Sequence, residues 1–139
     1  MADIVLVTLN ARYAHTAFGL RYLLANLGEM ASRARLLEFD LTRDAVEMAD
    51  EILRERPRIV GIGVYIWNVD RCTALTAVLK RLRPDLVVVL GGPEVSHETD
   101  EQRIVALCDH VITGEADLAF ATLCADILRG VNGGHSPSW

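Results

Sequence analysis

Lysine is almost missing from this chain. Lys80 is the only one among 14 Lys and Arg residues, and the 13 arginines are scattered without a basic stripe. With a formal net charge of −5, that disfavours a nucleic-acid partner held through its phosphates. Cysteine is scarce as well. Cys72, Cys108 and Cys124 are far apart and odd in number, and no C-x-x-C spacing occurs. A disulfide framework and an iron–sulfur cluster within these residues are both disfavoured, and the three thiols read as core or half-core positions in helical patterns. No apolar run approaches the roughly 20 residues of a membrane span. The N-terminal "MADIVLVTLN" lacks the basic start and cleavage site of a signal peptide. The expectation is a cytoplasmic protein with no membrane span.

What is present suits one folded domain. The chain has 139 residues, of which 51% are hydrophobic, enough to bury a core and too many for general disorder. Five short apolar runs, at residues 4–9, 35–39, 59–64, 86–90 and 110–113, read as strands. Three of them are nearly continuous in Ile, Val and Leu, as strands covered on both faces require.

Helical spacing fills the gaps. Leu20, Leu23, Leu24 and Leu27 share one face. Ala45, Met48, Ala49, Ile52 and Leu53 share another, with Asp44 and Glu47 as a capping box and Pro57 just past the end. Cys72, Leu75, Leu79 and Leu82 form a third face, Thr99 and Gln102 could cap a short fourth helix, and residues 118–128 make a fifth.

Strand–helix alternation of this kind predicts a parallel sheet with right-handed crossovers. The expected fold is α/β: a flavodoxin-like (Rossmann-like) three-layer sandwich on a five-stranded parallel sheet of order 2-1-3-4-5. Residues 1–130 form that domain. Residues 131–139, rich in Gly and Ser, read as a flexible tail or the start of a linker.

Open α/β sheets bind ligands beyond the carboxyl ends of their strands, at the switch point of the strand order. Four loops reach that edge: "NARYAHT", "YIWN", "GGPEVS" and "GEAD". They hold Asn10, Arg12, Tyr13 and His15; Tyr65, Trp67 and Asn68; Gly91, Gly92, Pro93, Glu94 and Ser96; and Gly114 and Glu115. Several familiar sites are excluded. The acids and lysine of a response-regulator receiver are replaced by Leu9-Asn10, Tyr65 and Thr113-Gly114. The loop after strand 1 is not the Ser/Thr/Gly-rich phosphate loop of a flavodoxin. G-x-G-x-x-G is absent there, and no G-x-x-x-x-G-K-[ST] occurs anywhere. "GIG" at Gly61–Gly63 lies inside strand 3 and reads as a packing feature. No spacing suggests a Ser–His–acid or Cys–His arrangement.

Strand 4 runs straight into Gly91 and Gly92. Either the chain turns tightly there, or something large lies against a backbone stripped of β-carbons. Taken together, "LNARYAHTAFGLRYLLANL", "GVYIWN", "VLGGPEVS" and "ITGEAD" resemble the cobalamin-binding domain at the N-terminus of many radical S-adenosylmethionine enzymes. The resemblance covers nearly all of residues 1–130. It implies a corrin ring across the carboxyl edge of the sheet and a nucleotide tail running beside the strands. Gly91 and Gly92 would then leave room for the tail's dimethylbenzimidazole.

Two departures qualify that implication. Mutase-type domains carry D-x-H-x-x-G after strand 1, with the histidine under cobalt. With Asn10 at the aspartate, Arg12 falls at the histidine; with His15 at the histidine, Phe18 falls at the glycine. The resemblance therefore implies cobalamin bound without a histidine ligand, its lower face open or covered by Tyr13, Tyr65 or Trp67. The second departure is the missing C-x-x-x-C-x-x-C of the radical core. S-adenosylmethionine and a [4Fe–4S] cluster would belong to a further C-terminal part, in the same chain or a partner, and this chain would be a fragment or a separate module. The role expected here is cofactor binding, with no catalytic residue.

Each candidate also has a plain structural reading. Asn68 can serve as a helix N-cap. Tyr65 and Trp67 can pack as core or interface aromatics. His15 and Arg12 can be solvated loop residues. Glu115 can sit at a helix start, where negative charge suits the dipole. Glu94 and Ser96 are common loop residues. Two other functions stand beside the first: a flavodoxin-like docking domain that no longer holds cobalamin, and a small α/β enzyme acting on a nucleotide or phosphorylated substrate.

Overall fold

The computed structural model describes residues 2–10, 25, 27–64, 68–91, 103–112 and 117–130. Strand β1 spans Ile4–Asn10, β2 Ala34–Asp40, β3 Ile59–Gly63, β4 Val87–Gly91 and β5 His110–Val111. Helix α1 spans Ala45–Arg54, α2 Val69–Leu82, α3 Arg103–Leu107 and α4 Asp117–Leu128, with a 3-10 turn at Gly28–Arg33 ahead of β2. The strands form one parallel sheet of order β2-β1-β3-β4-β5. This is the order that alternation and five strands predicted.

Alternation along each strand assigns the two layers. Val5, Val7 and Leu9 of β1, Val60, Ile62 and Val64 on and just past β3, and Val88 and Leu90 of β4 share one face. They pack with Met48, Ala49 and Ile52 of α1, Cys72, Leu75 and Leu79 of α2, and Ile104 of α3. Ile4, Leu6, Ile59 and Val89 share the other face, with Leu27 and with Phe120, Leu123, Cys124 and Ile127 of α4. Each such side chain contributes about 1.5–3 kcal/mol when removed from water. The two covered faces explain why β1, β3 and β4 show no polar alternation.

The ends of the elements differ slightly from the sequence reading. Gly91 is the last residue of β4 instead of the first residue of the loop. Leu82 ends α2 54% exposed, because the buried stripe turns through Cys72, Leu75, Thr76 and Leu79 and leaves the sheet before it. The Thr76 hydroxyl is tolerated in that stripe because it donates to the Cys72 carbonyl at 2.8 Å. Cys108 lies just past α3, not within it, and donates to the Val105 carbonyl. Asp44 caps α1 as expected, accepting from the Val46 amide at 3.1 Å, while Glu47 faces Arg43 at 3.7 Å. Leu20, Leu23, Leu24, Thr99 and Gln102 lie outside the described residues.

Gly61 is a packing glycine, as read. A β-carbon there would meet Leu6 Cδ2 at 3.0 Å and Phe120 Cζ at 3.2 Å. The Phe120 ring of α4 occupies the space that a side chain on β3 would need. No described helix is long and apolar enough to cross a membrane.

Candidate functional site

The strand order reverses at β1, which pairs with β2 on one side and β3 on the other. In open α/β sheets, such a point at the carboxyl ends of the strands is where ligands bind. The β1–β3 ladder stops at Val7–Ile62, two residues before Leu9 and one before Gly63. Beyond it, carbonyls in the sheet interior need new partners, because a buried unpaired carbonyl is costly.

Asn68 supplies them. Its side chain is buried, and Nδ2 donates to the Leu9 carbonyl at 2.9 Å and to the Gly63 carbonyl at 3.3 Å. Asn68 occupies the N-cap position of α2, but its side chain makes no cap hydrogen bond. Its own carbonyl accepts from the Cys72 amide at 2.8 Å and so begins the helix. The Cys72 thiol lies 3.8 Å from the same Gly63 carbonyl. Burial pushes the Cys72 and Cys124 thiols up to about 12, and the Cys108 thiol up to about 11. None of the three is a thiolate at neutral pH, so nucleophilic or metal-ligating roles are unsupported. Among the described residues, no group of three His, Cys, Asp or Glu side chains gathers to hold a metal.

On the α4 face, the central strands narrow toward this edge. Gly63 of β3 pairs with Gly91 of β4. Thr8 of β1, buried on the same face by alternation, comes one residue after the last β1–β3 pair. The result is a row of Thr8, Gly63 and Gly91 across three strands. Two residues nearer the amino end, the corresponding space at Gly61 is filled by Phe120. At Gly91, a β-carbon would meet, among the described residues, only the Ile112 carbonyl oxygen, at an ordinary 3.9 Å. Positive φ among the described glycines occurs at Gly28 and Gly130 and not at Gly91. Neither backbone conformation nor contact with a described residue therefore requires glycine at 91. Gly63 and Gly91 thus form a pair without β-carbons at the carboxyl ends of β3 and β4, beside the buried Thr8.

Of the sequence-derived candidates, Asn10, Asn68 and Gly91 are described, and all three lie at this edge. Asn10 ends β1 opposite Asp40. Arg12, Tyr13, His15, Tyr65, Trp67, Gly92, Pro93, Glu94, Ser96, Gly114 and Glu115 lie outside the described residues. Sequence reasoning overlooked Thr8 and Gly63. The signal was the period-two spacing: Gly61 and Gly63 both face α4, and only the register shows that the second sits beside Gly91.

Comparison with known proteins decides the family. The B12 binding domain family matches residues 4–124. The chain belongs to the B12-binding domain family. It is 31% identical over 83 residues, 57% of its length, to the cobalamin-dependent radical SAM methyltransferase TokK of Streptomyces tokunonensis. A cobalamin-binding protein of Desulfitobacterium hafniense is 27% identical over 89% of the chain, with a TM-score of 0.64. The radical S-adenosylmethionine methyltransferase TsrM of Kitasatospora setae, solved with cobalamin and a [4Fe–4S] cluster, shares the fold at TM-score 0.66 and 23% identity over 94% of the chain. This B12-binding domain spans only part of each relative: 12% of TokK, 57% of the Desulfitobacterium protein and 25% of TsrM. The receiver and flavodoxin sites excluded earlier share the sheet order; the edge residues make the difference.

Proposed function

We propose that the domain binds cobalamin across the carboxyl edge of its sheet and serves as the cobalamin-carrying part of a radical S-adenosylmethionine enzyme, a methyltransferase or a relative of one. The observation that carries the reading is the family match across residues 4–124. The Gly63–Gly91 pair supports it, because among the described residues a β-carbon at Gly91 would meet nothing nearer than the Ile112 carbonyl oxygen at 3.9 Å. When bound, cobalamin supplies the reactive cobalt centre for methyl relay.

The chain's own residues bind and orient. Gly63 and Gly91, with Gly92 next in sequence, would leave room free of β-carbons for the nucleotide tail. Asn10, Arg12, Tyr13, His15, Pro93, Glu94, Ser96, Gly114 and Glu115 offer polar and backbone partners around the corrin side chains. Tyr65 and Trp67 offer aromatic faces to cover the lower side. No histidine ligates cobalt, since neither Arg12 nor Phe18 fits the D-x-H-x-x-G pattern in either register. S-adenosylmethionine and the [4Fe–4S] cluster belong to another domain, in the same chain or a partner, with residues 131–139 leading toward it.

The test is an absorbance spectrum after incubation with hydroxocobalamin and desalting. Retained corrinoid with shifted bands is expected. His15→Ala should leave that spectrum unchanged, and Gly92→Leu should abolish retention while circular dichroism shows an intact fold. A folded parent that stays colourless at high micromolar hydroxocobalamin sinks the reading and leaves a docking domain.

A further inference from the structure

Where β1 and β3 separate, one side chain joins their ends, and that is Asn68. Nδ2 carries two protons, and two carbonyls take them: Leu9 on β1 and Gly63 on β3. The site is dry, with Asn68 1% exposed and Leu9 and Val64 fully buried. The same residue starts α2 through its carbonyl. Just beyond Gly63, the Val64 amide donates to the Gly91 carbonyl at 2.7 Å, so the clamp is continuous with the β3–β4 edge. One residue therefore links β1, β3 and α2 at the carboxyl edge, beside Gly63 of the Gly63–Gly91 pair.

We infer that Asn68 is a positioning residue for the cofactor crevice: it sets how far β1 and β3 part and how the Gly63–Gly91 pair is presented, without itself donating to the cofactor. This rests on the cobalamin reading above. It differs from the side-chain N-cap that the sequence suggested for Asn68 and from donation to a cofactor, because both amide protons are already placed. The same geometry predicts that the crevice is formed before the ligand arrives, since the clamp needs nothing but the chain itself.

The experiment uses the full 139-residue chain, labelled with nitrogen-15, and hydroxocobalamin as probe. In the cobalamin-free chain, the Asn68 side-chain amide protons should exchange slowly. They should persist at nearly the same positions after hydroxocobalamin is added, because their acceptors stay Leu9 and Gly63. Asn68→Ser identifies these signals by their loss and keeps one donor; folded, it should retain hydroxocobalamin about tenfold more weakly than the parent, and Asn68→Ala more weakly still. If Asn68→Ala does not fold, the serine variant and the proton signature carry the test. The inference is overturned if folded Asn68→Ser binds like the parent, if the protons exchange rapidly in the free chain, or if they move to a new partner on cobalamin addition. A parent that takes up no cobalamin while its Asn68 protons stay protected removes the cobalamin reading and the positioning role together. Equal uptake by parent and variant removes the positioning role alone.

Discussion

The two ends of the sheet are built on different principles. At the amino end, charged side chains reach in and close the backbone. Lys80 donates to the Leu86 carbonyl at 2.7 Å and the Pro84 carbonyl at 3.1 Å, and pairs with Asp109 at 2.9 Å. Asp109 in turn accepts from the Val88 amide at 2.8 Å. Arg58 donates to the Ile127 and Leu128 carbonyls and caps α4, while Asp3 holds Arg33 and accepts through its carbonyl from the Arg58 and Ile59 amides. At the carboxyl end, β3 and β4 finish in the Gly63–Gly91 pair with the buried amide of Asn68 nearby, and β1 and β2 finish in Asn10 opposite Asp40. Helix C-termini lie at the amino end, and their dipoles favour the cations gathered there. The arginines that look scattered in sequence, such as Arg33, Arg54, Arg58, Arg83 and Arg129, are brought to that end by topology. Among the described residues, Lys80, Arg58 and Asp109 close backbone groups at the amino end, and Asn68 does so at the carboxyl end.

The sharpest attack on the amino end is Asp109→Ala. It takes the side-chain acceptor from the Val88 amide and the counter-charge from Lys80, which keeps the Leu86 and Pro84 carbonyls, so unfolding in urea should show a loss of about 1–3 kcal/mol, with cobalamin uptake by the folded fraction unchanged. If uptake falls in step with stability, the two ends are not independent.

Two glycines on the α4 face sharpen the comparison further. Gly61→Ala drives a β-carbon toward Leu6 and Phe120 and should cost about 1–2 kcal/mol of stability while sparing the cofactor site. Gly91→Ala meets open space among the described residues, so stability should hold or rise by up to about 1 kcal/mol, while hydroxocobalamin binding weakens about tenfold or more. The same substitution, two strand steps apart, should separate stability from binding. Parallel effects of the two changes would remove the basis for treating Gly91 as part of a cradle.

Smaller effects return to the amino end. Arg56 follows α1 with φ of 52°, a left-handed conformation that glycine adopts freely. Arg56→Gly should raise stability by about 0.5–1 kcal/mol in a thermal or urea melt, with no change in cobalamin uptake. His110, at the start of β5, is held below its ordinary value by burial, against the opposing pull of Asp109. Its folded pKa is below the unfolded one, so the unfolded chain takes up a proton first. Stability is fully present above about pH 6.5, the ordinary histidine value, and is lost as pH falls through the folded value. Melting temperatures measured from pH 7.5 to 5 should fall less for His110→Asn than for the parent.

The fold was legible because its signals are local. Strands such as Ile59–Gly63 are apolar throughout, since both faces are covered, and α1 repeats its apolar residues at helical spacing behind a capping Asp44. Leu82 misled because helical spacing does not say where the sheet beneath it ends. The site was legible only as a set of loops and a glycine pair. Gly63 and Thr8 were missed because a residue's value in a cradle depends on what stands on neighbouring strands. Asn68 was found and does stand at the N-cap position, but its side chain makes no cap hydrogen bond, and one carbonyl it reaches, Leu9, is 59 residues away in sequence.

By itself, the order of apolar runs and helical faces determined a parallel sheet of order 2-1-3-4-5, because crossover handedness and burial on both faces leave few other arrangements. The single lysine, the wide spacing of the three cysteines and the lack of a phosphate-loop motif disfavoured nucleic-acid, iron–sulfur and nucleotide chemistry. Only the tertiary structure decided which glycine is packed and which is open, because that depends on whether Phe120 of a distant helix arrives beside it. Only the tertiary structure gave Asn68 its two acceptors, because those carbonyls lose their neighbours where β1 and β3 part company.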